Sequence, residues 1–382
     1  MFRTSAFAAD PVIARTVGRV LNSVWAADRL VRLHFLVFSG VWPLLGAASV
    51  QPVLTLKQVA GLLGAMFAFH TYTMVLNDIV DLPIDRTDPR RQRDLIASGR
   101  IGIGAALAIV LAQPFICVVL TLWMGRGWST LAVGFAAMTI YDLSGKRCVF
   151  PPLTDAIQGI GWASLAVYGA QAVGSAPNTL TWIVAAYAVV FTLLFNGIHG
   201  PLRDLANDFV RGARTTAIFF GARPGGADRG GHTIPTPVKA YAWMMAVGVV
   251  VLSAAVVLRN DLGYATAAQL YTGAVVLTID VLILLLQFKV VRPLDPAWEA
   301  AYRLQLYAVT IGLPAAFFVR LDRATLTSLF LLNAVSLLMF ESTPLVVAWS
   351  WRALRAAVTG TGGAGVRDPS GAERLEHVHT AE

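Results

Sequence analysis

The chain has 382 residues, of which 56% are hydrophobic and only 14% are charged, whereas soluble domains carry about one quarter charged residues. This composition excludes an ordinary soluble domain and indicates a membrane protein. The net charge of +8 does not indicate a nucleic-acid-binding face, because the basic residues gather in alternate loops between apolar runs, as membrane proteins distribute them.

The N-terminal segment, residues 1–30, is predicted to be a cytoplasmic or interfacial lead-in. Its apolar residues from Ile13 to Val24 fall near one helical face, with Arg15 and Arg19 on the other side. This pattern is typical of a helix lying on lipid headgroups. An ordinary solvated lead-in fits the same residues equally well.

Residues 31–350 contain repeated apolar runs that approach or exceed the length of about 20 residues that a membrane-spanning helix needs. The predicted spans are 33–49, 58–80, 102–123, 127–142, 153–173, 179–199, 237–257, 264–288, 303–320 and 325–350. With both termini inside, ten spans place every strongly basic loop in the cytoplasm. Residues 360–382 are glycine-rich and polar without periodicity, so residues 351–382 are predicted to form a polar, disordered tail.

The second predicted span ends in the stretch "NDIVDLPID" at residues 77–85. Asn77, Asp81 and Asp85 follow one another at intervals of four residues, which stacks side chains along one helical face. Pro83 is expected to end or bend the helix just before it. A shared face is therefore predicted for Asn77 and Asp81, while Asp85 is expected to project from the first turn of the loop.

A second acidic segment begins four spans later, where Asp204 and Asp208 repeat the four-residue interval. An even number of crossings places both acidic segments on the same membrane face, so they are able to line one cavity. Converging carboxylates repel one another in a medium of low dielectric unless cations join them. Mg²⁺ is the natural candidate, because it takes one or two carboxylates and completes its shell with water and substrate phosphates.

The same cytoplasmic loops hold Lys146, Arg147 and Arg214, which are suited to contact phosphate oxygens. Together the acids and the bases predict a site for a metal-bridged diphosphate. The alternative is that the acids sit in water among the arginines of cytoplasmic loops, with no ligand.

Three sequence blocks resemble the UbiA superfamily of membrane prenyltransferases. The family motif N-D-x-x-D-x-x-x-D, followed by a basic loop and P-S-G-R, is matched by "NDIVDLPID" and by "ASGR" at 97–100. The family's Tyr followed by Lys-Arg is similar to "YDLSGKR" at 141–147, and its second aspartate motif is similar to "DLANDFVRGARTTAIFFG" at 204–221. The blocks occur in family order within roughly residues 30–320.

The resemblance implies an all-helical bundle of nine spans around a central cavity, so the tenth predicted span and the polar tail lie beyond the family pattern. It also implies that two Mg²⁺ ions bind an isoprenyl diphosphate with the help of Asn77, while Tyr141 borders the pocket. The implied metal ligands are Asp81, Asp85, Asp204 and Asp208. The residues implied to steady the diphosphate are Lys146, Arg147 and Arg214.

Two departures from the family pattern bear on substrate contacts. The family's Arg-Pro before P-S-G is replaced by "DLIASG", which places Asp94 where an arginine is expected. An additional Asp before the second motif is absent, and its neighbourhood, "NGIHGPLR", holds Asn196 and His199 instead.

We therefore expect a Mg²⁺-dependent enzyme in a multi-pass, bacterial plasma-membrane setting, with its site toward the cytoplasm. It would move an isoprenyl group from an allylic diphosphate to an aromatic acceptor, either a phenol or a quinone precursor. The departures keep open a terpene cyclase that acts on the diphosphate alone. A transporter fits less well, because transporters place such acids near the membrane midplane and these acids lie at span ends.

Several other residues in the predicted spans are candidates for lesser roles. Asp155 and Gln158 are candidates to face the acceptor, whereas Asp280 is expected to pair within the bundle or to pack at an interface. His34 and His70 are expected to be satisfied by headgroups or neighbouring helices. Aromatic residues near the motifs are able to stabilise a cation, although packing is the commoner role; they are Phe67, Phe69, Tyr72, Trp162, Tyr168, Phe191 and Phe195.

Overall fold

The computed structural model describes residues 26–87, 91–92, 94–225, 232–259, 266–291 and 298–339. The chain divides into two units, Met1–Glu341 and Ser342–Glu382. The second unit lies outside the described residues, and so do the predicted tail and most of the predicted lead-in. The domain boundaries at residues 30 and 350 therefore stay predictions.

The described part of the chain is all-helical, apart from one isolated antiparallel bridge between Arg223 and Thr233. It contains ten long helices, which confirms the predicted fold class. In chain order they are α1 (Leu36–Val50), α2 (Leu56–Val80), α3 (Ile103–Met124), α4 (Trp128–Ser144), α5 (Pro151–Ala172), α6 (Thr179–Leu194), α7 (Thr236–Leu258), α8 (Thr266–Val290), α9 (Trp298–Phe317) and α10 (Arg323–Met339).

Seven helical segments within the described residues are long and apolar enough to cross a membrane, namely those containing α1, α2, α3, α6, α7, α8 and α9. The protein is therefore an integral membrane protein. Helices α4 and α10 have 17 residues each, and α5 interrupts its apolar sequence with polar residues. Whether nine or ten helices cross the bilayer stays a prediction.

Helix α5 lies at the centre of the N-terminal half, where it packs against α1, α4 and α6. Glycines permit the close approach of α1 and α5: a Cβ at Gly46 would lie 1.9 Å from the carbonyl oxygen of Ala166, and one at Gly169 would lie 2.1 Å from that of Pro43. Small residues commonly allow such backbone contacts between membrane helices. In contrast, only 22% of the apolar window of α3 is buried within the chain, so most of its apolar surface faces outward.

The two acidic segments follow the ends of α2 and α6. Helix α2 ends at Val80, and a separate one-turn helix, Leu82–Asp85, has Pro83 in its first turn, which confirms the predicted break. After α6, a π-helical turn at Phe195–His199 leads into the short helices Gly200–Arg203 and Leu205–Val210. These short elements place the acidic residues at one end of the bundle.

Candidate active site

Lys146 joins the two acidic segments. Its Nζ atom lies 3.0 Å from Asp81 Oδ2 and 3.6 Å from Asp208 Oδ1. The backbone N–H of Arg214 donates to the carbonyl oxygen of Lys146 at 2.9 Å, which ties the loop after α4 to the loop after the second motif. The two acidic segments therefore meet at one ammonium group, at one end of the bundle.

The electrostatics of this cluster favour a bound cation. Burial raises the pKa of Asp208, which is 3% exposed, although Lys146 opposes the shift. Burial lowers the pKa of Lys146, but the carboxylates of Asp81 and Asp208 outweigh burial, so its pKa is raised overall. Burial also raises the pKa of Asp85 to about 6. Ionised carboxylates here need positive charge nearby to offset their desolvation.

Asn77 connects the acidic cluster to a second buried carboxyl group. Its Nδ2 atom lies 3.5 Å from Asp81 Oδ2 and 3.4 Å from Asp142 Oδ1. Asp142 is buried, and its Oδ2 atom has no hydrogen-bond partner. Asp142 is not among the predicted site residues, although an acid next to Tyr141, within the same motif and at the end of a span, is a usable signal.

Not every predicted site residue joins the Lys146 cluster. Asp204 instead accepts two hydrogen bonds from Arg203, at 3.0 Å from Nε and 2.9 Å from Nη2. Asp85 lies buried one turn beyond Asp81. Arg147 and Arg214 are exposed residues of the adjoining loops.

The oxygen donors at this end of the bundle meet the needs of Mg²⁺ only in part. Within the described ranges, no three His, Cys, Asp or Glu side chains converge as a ready metal centre. Asp81 and Asp208, however, already share one cation, the Lys146 ammonium. Mg²⁺ takes one or two carboxylates and fills its remaining positions with water and phosphate oxygens. The residues therefore fit an ion that binds together with a diphosphate.

A cavity of about 190 Å³ adjoins the acidic cluster through Asn77. Its polar lining includes Asn77, Tyr141, Asp142, Gln158, Asn196 and Arg203, and its aromatic lining includes Phe35, Phe38, Trp42, Trp162, Phe191, Phe195 and Tyr302. Trp42 and Phe191 meet edge to face at 5.4 Å between ring centroids. The cavity is thus lined by both polar and aromatic side chains.

The polar part of the cavity is organised around Asn196. Its Nδ2 atom donates to Tyr141 Oη at 2.6 Å and also to Gln158 Oε1. Gln158, predicted from the sequence as a candidate to face the acceptor, therefore lines the cavity. Asp155 does not line the cavity and instead accepts a hydrogen bond from the hydroxyl of Thr216.

The remaining polar candidates have structural partners. Asp280 accepts from Ser253 Oγ at 2.9 Å, which confirms the expected pairing within the bundle. His70 contacts Ser39 Oγ and the carbonyl oxygen of Val31, each at 2.7 Å, and His34 contacts Asp28 at 2.9 Å.

Three of the seven aromatic candidates line the cavity and four do not. Trp162, Phe191 and Phe195 line the cavity, whereas Phe69 and Tyr168 are fully buried packing residues. Of the other two, Tyr72 shares a hydrogen bond with Thr139 at 2.6 Å and Phe67 is 43% exposed. Asp94, the residue that replaces the family's arginine, pairs with Arg91 at 3.3 Å.

Comparison with known proteins gives distant relatives that are named 4-hydroxybenzoate prenyltransferases. The chain is 24% identical over 195 residues to a 4-hydroxybenzoate octaprenyltransferase of Coxiella burnetii, covering 51% of this chain and 66% of that protein. It is 27% identical over 188 residues to the mitochondrial 4-hydroxybenzoate polyprenyltransferase of Saccharomyces cerevisiae, covering 48% of this chain and 49% of that one. The alignments thus span less than two thirds of each relative's length.

Solved structures share the fold. A UbiA homolog from Aeropyrum pernix K1 in its apo form superposes with a TM-score of 0.58 at 20% identity, covering 75% of this chain and 98% of that chain. A UbiA homolog from Archaeoglobus fulgidus bound to GPP and Mg²⁺ gives a TM-score of 0.56 at 14% identity, covering 77% and 99%. The model of the UbiA prenyltransferase family matches residues 36–300. The chain therefore belongs to the UbiA prenyltransferase family.

Proposed function

We propose that the protein transfers an isoprenyl group from an allylic prenyl diphosphate to an aromatic acceptor within the membrane, in a Mg²⁺-dependent reaction. The observation that carries the proposal is the contact of Lys146 with both Asp81 and Asp208, next to an aromatic cavity. The names of the relatives, 4-hydroxybenzoate prenyltransferases, and the fold neighbour bound to GPP and Mg²⁺ support it.

The leaving diphosphate would bind at the acidic cluster. The carboxylates proposed to hold Mg²⁺ there are Asp81, Asp85, Asp204 and Asp208. Bound Mg²⁺ would neutralise the negative charge that develops on the leaving group. Lys146 would pass from the carboxylates to a phosphate oxygen, and Arg147 and Arg214 would contact further oxygens from their exposed positions beside it.

The cavity would receive the allylic group and the acceptor. When the C–O bond to the diphosphate breaks, the bonding electrons leave with the diphosphate and positive charge remains on the allylic carbon. The faces of Trp162, Phe191 and Phe195 would be able to stabilise that charge, and a site closed to water would protect the cation from hydrolysis. A ring carbon of the acceptor then forms the new C–C bond and would give its proton to the released diphosphate.

Purified protein in lipid nanodiscs tests this proposal. Labelled prenyl diphosphates of several lengths would be incubated with charged and uncharged phenols, with Mg²⁺ or with EDTA. A prenylated product that requires Mg²⁺ is expected. The absence of both product and diphosphate release across the panel would contradict the proposal. A hydrocarbon or alcohol formed equally well without any acceptor would favour the cyclase alternative.

We also propose that the site faces the cytoplasm of a bacterial cell. The loop that contains Lys146 and Arg147 and the loop that contains Arg214 lie at the same end of the bundle, and basic loops stay predominantly on the cytoplasmic side.

A further inference from the structure

We propose that the acceptor is an uncharged phenol or quinol that is held by the amide pair Asn196 and Gln158, and that the cavity discriminates against acceptors that carry a carboxylate. The inference rests on the proposed function and names the chemical class of its second substrate. It begins from Asn196, which lies in the neighbourhood where the family's additional aspartate is absent.

The hydrogen bonds of the amide pair leave a donor and an acceptor for a ligand. Asn196 Nδ2 donates to Tyr141 Oη at 2.6 Å and to Gln158 Oε1. None of the described hydrogen bonds uses Asn196 Oδ1 or Gln158 Nε2, and neither atom is among the buried polar atoms that lack a partner. Because both residues line the cavity, these two atoms are open to it. A hydroxyl group can donate to the first and accept from the second.

The charges around the cavity oppose a carboxylate. The charged residues that line it are Arg32, Arg203 and Asp142. Arg32 forms a buried ion pair with Asp78, and Arg203 holds Asp204 with two hydrogen bonds. Both cations of the lining are therefore engaged by carboxylates of the chain, and Asp142 adds no positive charge in either protonation state.

An acceptor with a carboxylate would therefore enter an aromatic-walled cavity whose cations already have partners. Desolvating an ion without a partner is far more costly than burying a neutral polar group that forms hydrogen bonds. Such an acceptor would have to share Arg32 with Asp78 or Arg203 with Asp204, so two carboxylates would face one guanidinium group and the local charge would become negative. An uncharged acceptor adds no negative charge, and its ring can lie against Phe191, Phe195 or Trp162.

The experiment compares two nearly isosteric ligands, 4-hydroxybenzamide and 4-hydroxybenzoate, at pH 7. Binding of each to the full-length protein in nanodiscs would be measured by isothermal titration calorimetry, with empty nanodiscs as the blank. The amide is expected to bind at least about tenfold more tightly than the carboxylate, a difference of about 1.4 kcal/mol. Equal or tighter binding of the carboxylate, or no detectable binding of the amide, would overturn the inference.

Two variants test whether the amide pair holds the acceptor. Asn196→Leu and Gln158→Leu are each expected to weaken binding of 4-hydroxybenzamide about tenfold. Matched controls are Asn333→Leu and Gln113→Leu, whose side chains bond within their own helices and do not line the cavity; they should stay within twofold of the parent. An unchanged affinity in both cavity variants, with folding verified by thermal unfolding, would contradict the assignment.

Binding of geranyl diphosphate with Mg²⁺ is measured on the same preparations and reports on the proposed function separately. If the diphosphate binds and is turned over but the carboxylate acceptor is preferred, the inference fails and the proposed function stands. If the diphosphate does not bind with Mg²⁺ but 4-hydroxybenzamide still binds more tightly than 4-hydroxybenzoate, the proposed function fails and the recognition site stands.

Discussion

At the scale of single residues, the site is held together by a cation that belongs to the protein. Lys146 lies between Asp81 and Asp208, so positive charge offsets two carboxylates before any ligand arrives. Removing one partner from such a group leaves the others desolvated and uncompensated, which usually destabilises more than the intact pairs stabilise. Lys146 thus has a structural role that is separate from its proposed contact with phosphate.

Substituting Lys146 by Ala is expected to lower the free energy of unfolding by about 1 to 3 kcal/mol. This is below the loss for fully buried pairs, because the Lys146 side chain is 31% exposed. Turnover should fall at least about 100-fold. Since Mg²⁺ can replace the missing charge, Mg²⁺ should raise the unfolding temperature of this variant more than that of the parent. Lys57→Ala, a change at an exposed residue, is the control, and an equal Mg²⁺ effect in all three proteins would contradict the interpretation.

Asp85 should make the metal-free protein less stable as the pH rises. Burial raises its folded-state pKa to about 6, above the usual value of about 3.9. The folded state therefore favours the protonated form, and the resulting penalty grows as the pH rises from about 4 to about 6 and is constant above that. In EDTA, Asp85→Asn should be more stable than the parent by about 1 to 3 kcal/mol at pH 8.

Thermal unfolding at pH 4, 6 and 8 measures this effect. The gain from Asp85→Asn should be smallest at pH 4, because the parent's carboxyl group is then largely protonated in the folded protein. A gain of the same size at pH 4 and pH 8 would show that the substitution acts through packing, since removing a titrating carboxylate cannot give a pH-independent effect.

At the scale of helices, much of the architecture follows from hydropathy, and much of the site does not. The predicted span at 58–80 corresponds to α2, and Pro83 marks the break after it. The π-helical turn at Phe195–His199 has no comparable sequence signal, because π-helical turns depend on packing around them rather than on local periodicity. The partners of charged residues are equally hard to predict, as the pairing of Asp204 with its neighbour Arg203 shows.

The interface of α1 and α5 should tolerate no side chain at its two glycines. A methyl group at Gly46 or Gly169 would overlap a backbone carbonyl oxygen of the other helix, and a backbone atom cannot move aside without shifting the helix. Each Gly→Ala change should destabilise the protein by about 1 to 3 kcal/mol. Gly104→Ala, in the first turn of α3 with open space around it, is the matched control. Comparable unfolding temperatures for all three variants would refute the proposed packing constraint.

At the scale of the whole molecule, an even number of crossings between the two acidic segments places both at the same end of the bundle. Four predicted spans separate the two acidic segments, and the structure brings Asp81 and Asp208 to the same ammonium group. The sequence could predict a shared face because span length and crossing number determine it. It named Gln158 as a candidate but could not separate it from Asp155, and it could not predict the contact of Gln158 with Asn196, because both depend on how the helices pack.

The orientation of the molecule can be tested with its own cysteines. Cys148 follows Lys146 and Arg147 and is half-exposed, whereas Cys117 is 2% exposed within α3. If the site faces the cytoplasm, a membrane-impermeant maleimide should label Cys148 in inverted bacterial membrane vesicles and not in intact cells. Cys148→Ala should abolish the labelling and Cys117→Ala should preserve it. Because a bound diphosphate would lie against Lys146, Mg²⁺ with geranyl diphosphate should slow the labelling. Efficient labelling of Cys148 in intact cells would contradict the proposed cytoplasmic orientation of the site.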